Sequence, residues 1–125
     1  MNTQITLASK SQTRSRLLTN AKIKFKIVDH GVDEDEIKLS MSESPPEDIV
    51  TRLAEMKALK VSISNEGLVI GSDQGLDLNG KLVNKAKNFN EAHEQLKSMS
   101  GKEHTLITTT VVAKEKNIML SLIHI

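Results

Sequence analysis

Residues 68–83, LVIGSDQGLDLNGKLV, decide the fold class of this chain. The segment begins with the short apolar run Leu68–Gly71, which is typical of a buried strand. Further on, Asn79-Gly80 lies between two arms of alternating polarity. This dipeptide suits a two-residue type I′ turn, so the second half of the segment predicts a β-hairpin. We therefore expect a sheet at the centre of the fold.

Helical and strand patterns alternate on both sides of this segment. Before it, Ser44-Pro45-Pro46-Glu47 fits a capping box with proline in the first turn of a helix. Residues 29–43 are acidic and polar, which is typical of a long loop. The predicted order is strand 5–8, a helix carrying Leu17 and Leu18, strand 22–28, the helix after Ser44, the strand and hairpin of 68–83, a helix capped by Asn90, and strand 105–113. This order predicts an α/β fold.

Length, composition and charge limit the classes of function. A chain of 125 residues, 38% hydrophobic and 26% charged, suits one globular domain. The formal charge is only +1 and the only aromatic residues are two phenylalanines, so we expect no nucleic-acid partner. There are no cysteines, no secretion signal and no apolar stretch of membrane-spanning length, so we expect a cytoplasmic protein that does not bind membranes.

Residues 9–14 could form a phosphate-binding site. Ser9, Ser11 and Arg14 lie where the first strand leads into a helix. A helix N-terminus presents free N–H groups and partial positive charge, and a guanidinium can hold two phosphate oxygens. The alternative is an ordinary polar helix start with solvated cations.

Three further features have a functional and a structural interpretation. Asp73 follows the apolar run, either as a ligand-facing carboxylate at a strand end or as a turn residue. Lys57 lies on the apolar face of its helix, either extending its ammonium to water or meeting an anion in a cleft. The acidic run 33–36 could hold a hard cation or be a solvated loop.

The sequence resembles the Maf family of nucleoside triphosphate pyrophosphatases over nearly all of residues 5–112. Each of the resembling motifs is weak alone, but they occur in the family's order. They are Leu7–Leu18 with its Ala-Ser start, Phe25–Glu34 with its Asp-Glu pair, Glu43-Ser44-Pro45 with Arg52-Leu53-Ala54 and Lys57-Ala58, Gly71-Ser72-Asp73-Gln74 with Asn79-Gly80 and Lys85, and Ser100-Gly101 with His104 and Thr108. The fold implied is a mixed sheet flanked by helices.

The resemblance implies hydrolysis of a nucleoside triphosphate to the monophosphate and pyrophosphate, with a divalent cation, Mg²⁺ or Mn²⁺. Asp73 would be the general base, and Glu34 would help to hold the metal. The family also implies a possible homodimer. The residues expected to bind the triphosphate substrate are Ser9, Ser11, Arg14, Lys57 and Lys85.

Some positions depart from the family pattern. Gln12 stands in place of a proline, and Asn84 and Ala86 replace the glycine and proline around Lys85. Thr13 and Gln74 occupy the positions that tune substrate choice in the family. Gln74 after the aspartate resembles the branch acting on 7-methyl-GTP, whereas Thr13 matches neither branch well.

The family's members are longer, so we expect residues 1–119 to be the N-terminal portion of such a domain, incomplete at the C-terminus. Residues 120–125, LSLIHI, match what a common sequencing-library adapter encodes in one frame, and we expect a non-native tail there. An apolar C-terminal strand is the alternative. The functional alternatives are a non-catalytic nucleotide- or phosphate-binding module and an inactive fragment.

Overall fold

The fold is a mixed six-stranded sheet with four helices beside it. The computed structural model describes residues 4–125. The predicted α/β class and mixed sheet are confirmed. The helices are α1 (Gln12–Asn20), α2 (Glu34–Ser40), α3 (Pro46–Ser62) and α4 (Phe89–Met99). The strands are β1 (Ile5–Leu7), β2 (Lys26–Ile27), β3 (Leu68–Leu78), β4 (Lys81–Val83), β5 (His104–Lys114) and β6 (Asn117–His124).

The strands follow the order β2-β1-β3-β5-β6 across the sheet, and β4 pairs with the end of β3. β1 runs parallel to β2 and β3, whereas the pairs β3–β4, β3–β5 and β5–β6 are antiparallel. The predicted hairpin is confirmed, because Asn79 and Gly80 both have positive φ, 55° and 81°, between β3 and β4. Positive φ at both central residues is what a type I′ turn requires.

The core lies between α3 and the central strands β3 and β5. The apolar face of α3 is buried, as its helical spacing predicts. At Gly71 the helix lies directly on the strand: an added Cβ would lie 2.5 Å from the Ala54 carbonyl oxygen and 2.6 Å from the Ala58 nitrogen. The largest fully buried apolar side chains are Leu7, Val50, Leu53, Val69 and Val111.

The strand predicted over residues 22–28 is wrong for most of that range. Only Lys26–Ile27 forms a strand, because its partner β1 offers just Thr6 and Leu7 in register. Ile23 and Ile27, which made the alternating pattern, are 37% and 52% exposed. Phe25, the third residue of the pattern, is half-buried, and of this segment Val28 packs against the core.

The loop predicted over residues 29–43 is also wrong, since it contains α2. The Asp33 carboxylate caps this helix by accepting a hydrogen bond from the Glu36 backbone N–H at 3.1 Å. Acidic side chains at a helix N-terminus interact favourably with its partial positive charge. The acidic run that suggested a loop therefore stabilises the start of a helix.

Two predicted helix caps are displaced. Pro45 is the N-cap of α3, with no side-chain hydrogen bond, so the capping box from Ser44 does not form. Proline at the first helical position, Pro46, has no N–H that needs a partner, which makes a side-chain cap less necessary. For α4 the cap is Asn88 and not Asn90, and its Oδ1 accepts from the Glu91 N–H at 2.8 Å.

The last strand, β6, forms the far edge of the sheet and all eight of its residues are exposed. It pairs with β5 from Asn117 to His124, with an irregularity beside Val112 and Ala113. Residues 120–124 are thus part of a strand. The expected domain boundary at residue 119 and the expected origin of the tail stay predictions.

Candidate active site

The candidate active site lies at a gap in one edge of β3. On this edge β1 pairs with residues 68–70 and β4 pairs with residues 76–78. Within the described chain, residues 71–75 have no strand partner on that edge. The half-buried Asp73 is at the middle of the gap.

Asp73 was expected at a strand end or in a turn, and both expectations are wrong. β3 continues to Leu78, because its other edge pairs with β5 without interruption and Thr109 is the partner of Asp73. The neighbouring parallel strand β1 does end here, with Leu7 opposite Ile70. Asp73 therefore lies just beyond the carboxyl end of a parallel strand, where α/β sheets commonly place ligands.

Two glycines of β3 allow α3 to approach Asp73. Gly71 and Gly75 flank Asp73 at a spacing of two residues, so all three face α3. A Cβ at Gly75 would lie 2.5 Å from a Val50 methyl carbon and 2.7 Å from Leu82. The absence of these side chains lets α3 pack closely on β3 on both sides of Asp73, opposite the one charged residue of α3 that is buried.

That residue is Lys57, which is only 4% exposed. Its ammonium donates to Asp73 Oδ1 at 2.9 Å and lies 2.6 Å from Glu34 Oε1. Lys57 was expected either to extend its ammonium to water or to meet an anion. The second interpretation describes its position, because the ammonium points inward to the carboxylates of Asp73 and Glu34. Buried charges need partners of this kind because desolvation of an unpaired ammonium is costly.

Glu34 belongs to the first turn of α2, and its carboxylate contacts Lys57 of α3. Partial burial raises the pKa of its carboxyl group, but the hydrogen bond and positive charge of Lys57 outweigh this, so the pKa lies below its usual value. Glu34 is therefore an ionised acceptor near neutral pH. The cluster of Lys57, Glu34 and Asp73 carries two formal negative charges and one positive charge.

Sequence reasoning missed His30, which lies between β2 and α2. Its Nδ1 accepts a hydrogen bond from the Val32 N–H at 2.9 Å, so in the neutral ring the proton is on Nε2. Burial, and then the charge of Lys57, lower the pKa of His30. The loop is attached to α3, because Lys60 Nζ donates to the Gly31 carbonyl oxygen at 2.5 Å. The sequence signal for this turn was Asp29-His30-Gly31 directly after a strand.

Residues 9–14 form a hydrogen-bonded cradle at the N-terminus of α1. Ser11 caps the helix, with its Oγ accepting from the Arg14 N–H at 3.3 Å. The buried Ser9 Oγ accepts from the Ser11 N–H at 3.0 Å and from Arg14 Nη1 at 3.2 Å. The chain enters this cradle from β1, whose next residue, Ala8, still donates to the Ile70 carbonyl oxygen at 2.9 Å. The cradle therefore begins beside the gap that contains Asp73.

The sequence profile of the Maf-like protein family matches residues 4–123. The chain belongs to the Maf-like family. Among curated relatives, a protein of Caulobacter vibrioides named nucleoside triphosphate pyrophosphatase is 46% identical over 115 residues, which cover 90% of this chain and 58% of that protein. A Brucella abortus protein named 7-methyl-GTP pyrophosphatase is 41% identical over 118 residues, covering 92% of this chain and 59% of the relative. This Maf-like chain thus spans slightly less than three fifths of the length of these relatives.

The fold also resembles a solved structure. The crystal structure of a nucleoside-triphosphatase, or dITP/XTP pyrophosphatase, of Mycobacterium abscessus aligns with a TM-score of 0.52. The alignment covers 97% of the Maf-like chain and 69% of the other, at 11% identity. At that identity the likeness concerns the fold alone.

Across residues 4–125, none of the helices combines the length and apolar character needed to cross a membrane.

Three residues singled out by the resemblance lie outside the cluster of Lys57, Glu34 and Asp73. Lys85 is exposed in the segment after β4, and in the described chain its ammonium makes no ion pair. Thr13 is exposed in the first turn of α1. Gln74 points to the opposite face of the sheet from Asp73, where its Nε2 donates to Thr108 Oγ1 at 3.3 Å. Their expected roles stay predictions.

Proposed function

We propose that the protein hydrolyses a nucleoside triphosphate to the monophosphate and pyrophosphate. The observation that carries this proposal is the carboxylate of Asp73, paired with a buried lysine in a sheet gap beside a helix N-terminus. Membership of the Maf-like family and the pyrophosphatase names of its relatives support the same activity. The homodimer and the cytoplasmic location expected from the sequence remain part of the proposal.

Asp73 would act as the general base. Phosphoryl transfer to water needs an oriented nucleophile and neutralisation of the charge on the phosphate oxygens. An Asp73 carboxylate held on β3 can orient a water and accept its proton. Lys57 would also supply positive charge close to the phosphorus that is attacked.

The cradle of Ser9, Ser11 and Arg14 would hold phosphate oxygens. The N-terminus of α1 offers free backbone N–H groups and partial positive charge. Arg14 adds a guanidinium, which can donate two parallel hydrogen bonds to a phosphate. Its present hydrogen bond to Ser9 Oγ keeps it at the same end of the helix.

The carboxylates of Glu34 and Asp73 fit a divalent cation that is also bound by phosphate oxygens of the substrate. In residues 4–125, no three histidine, cysteine, aspartate or glutamate side chains gather closely enough to hold a metal ion. Mg²⁺ is commonly bound through one or two carboxylates together with substrate phosphates. Glu34 and one oxygen of Asp73 would provide two such ligands, which leaves the other Asp73 oxygen to accept the proton of the water. When bound, Mg²⁺ or Mn²⁺ would neutralise phosphate charge and polarise the phosphorus–oxygen bonds.

For the nucleobase of the substrate, we propose 7-methylguanine, so 7-methyl-GTP is the first substrate to examine. Gln74, directly after the aspartate, resembles the branch with this activity, and relatives from Brucella abortus and Brucella suis carry the name 7-methyl-GTP pyrophosphatase. Other relatives carry the broader name, so the panel also contains UTP, dTTP, GTP and ITP.

The test is pyrophosphate release from this panel with Mg²⁺ or Mn²⁺. We expect turnover by the wild type and a fall of about 10²–10⁴-fold for Asp73→Asn, since the general base is lost. The matched control is Asp77→Asn on the same strand, whose Oδ1 accepts from the Gly80 N–H at 2.9 Å, a bond that asparagine can keep. An Asp73→Asn enzyme as fast as the control contradicts the catalytic role. Nucleotide binding with no turnover by the wild type indicates a binding module instead.

A further inference from the structure

The ammonium of Lys57 lies between the two carboxylates that the proposed function assigns to a cation. Its distances of 2.6 Å to Glu34 Oε1 and 2.9 Å to Asp73 Oδ1 limit the separation of the two oxygens to their sum, 5.5 Å. Two oxygens bound to one Mg²⁺ at about 2.1 Å lie within about 4.2 Å of each other. The lysine nitrogen lies within 2.9 Å of both oxygens, so it occupies the space that a cation bound to these two oxygens would need.

Lysine and a divalent cation cannot share this space. Charges of the same sign a few ångströms apart repel strongly, and more so where water is largely excluded. Lys57 is 4% exposed and the Asp73 side chain 13% exposed, so solvent screens the charges of these two residues little, whereas the Glu34 side chain is 40% exposed. A cation that binds Glu34 Oε1 and Asp73 Oδ1 must therefore displace the ammonium.

The side chain of Lys57 can move, but its charge needs a new partner. Lysine has a flexible four-carbon stem, and its ammonium accepts any geometry of oxygen partners. Moving it away without an anion would leave a buried, unpaired charge. A substrate phosphate is an anion that could accept the ammonium when the carboxylates receive the cation.

We propose that Lys57 competes with the divalent cation for the carboxylates of Glu34 and Asp73. Its ammonium stays paired with them until a phosphate of the substrate binds the ammonium instead. The cation then binds weakly to the free protein and tightly together with the triphosphate. Such coupling is reciprocal, so the cation strengthens phosphate binding by the same factor. This role rests on the proposed function and adds to it the order in which the charges are exchanged.

The experiment measures Mn²⁺ binding to the 125-residue chain without any nucleotide, by the electron paramagnetic resonance signal of free Mn²⁺. Lys57→Met should bind Mn²⁺ roughly tenfold more tightly than the wild type or better, because one positive charge beside the carboxylates is removed. Lys57→Gln is the second neutral variant, chosen in case methionine alters folding, and circular dichroism checks both. The gain should disappear in Lys57→Met combined with Glu34→Gln.

The matched control is Lys60→Met, one turn further along α3. Lys60 binds the Gly31 carbonyl oxygen and no carboxylate, so its loss should leave the Mn²⁺ affinity within about twofold of the wild type. Equal or weaker Mn²⁺ binding by folded Lys57 variants overturns the proposal, and so does a gain that survives Glu34→Gln. Because no nucleotide is present, the result does not depend on pyrophosphate release, and the two proposals can fail separately.

Discussion

Replacement of Gly71 by alanine is the sharpest stability test of the fold around the site. Gly71 does not need positive φ, so alanine fits its backbone and would by itself stabilise the chain by about 0.4–1 kcal/mol. The added methyl would, however, lie 2.5 Å from the Ala54 carbonyl oxygen and 2.6 Å from the Ala58 nitrogen. Carbon atoms pack at about 3.5–4.0 Å, so α3 must move outward by about 1 Å.

Moving α3 costs packing energy and weakens the ion pair of Lys57 with Asp73. Overpacking of this kind typically costs about 1–3 kcal/mol, more than the gain from losing a glycine. A net loss of about 1–2 kcal/mol lowers the Tm of a domain of this size by roughly 4–8 °C. We expect Gly71→Ala to show that shift and to lower the rate of pyrophosphate release at a temperature where the variant is folded.

The assay is thermal unfolding followed by far-ultraviolet circular dichroism, since the chain has neither tryptophan nor tyrosine for fluorescence. The control is Gly80→Ala, where φ is +81° and no atom lies within 4 Å of an added Cβ. This control carries backbone strain without a clash and leaves α3 in place. A Gly71→Ala protein at least as stable as the wild type would refute the close approach of α3 to β3.

Three further outcomes are expected. Because the pKa of His30 is lowered in the folded chain, the unfolded chain takes up its proton first as pH falls, and stability declines below about pH 7. His30→Asn, whose Oδ1 can accept the Val32 N–H, should reduce this decline in urea midpoints between about pH 7.5 and 5.5; an identical decline contradicts the assignment. Asn88→Ala should lose about 1 kcal/mol with the cap of α4, and an unchanged urea midpoint would show that the cap contributes nothing. Arg14→Lys keeps the charge but loses the planar fork, so the KM for the triphosphate should rise about tenfold while kcat changes little; an unchanged KM argues against the cradle.

Most of the fold was predictable because its signals are local. The hairpin follows from Asn79-Gly80 between alternating arms, and the buried face of α3 from helical spacing. Prediction failed where the neighbours decide the outcome. The segment 22–28 has the pattern of a strand, but its extent is set by the short β1, and the acidic run 33–36 was assigned to a loop although it caps a helix.

The candidate site divides in the same way. By itself the sequence determined that Lys57 lies on the apolar face of a helix, that a helix start follows Ser9 and Ser11, and that Asp73 follows a buried run, because spacing along one element fixes each. Only the tertiary structure decided that Glu34, Lys57 and Asp73 meet and that Asp73 lies in a sheet gap. These three residues come from α2, α3 and β3, and their meeting depends on how closely α3 packs on the glycines of β3. No local pattern encodes that distance.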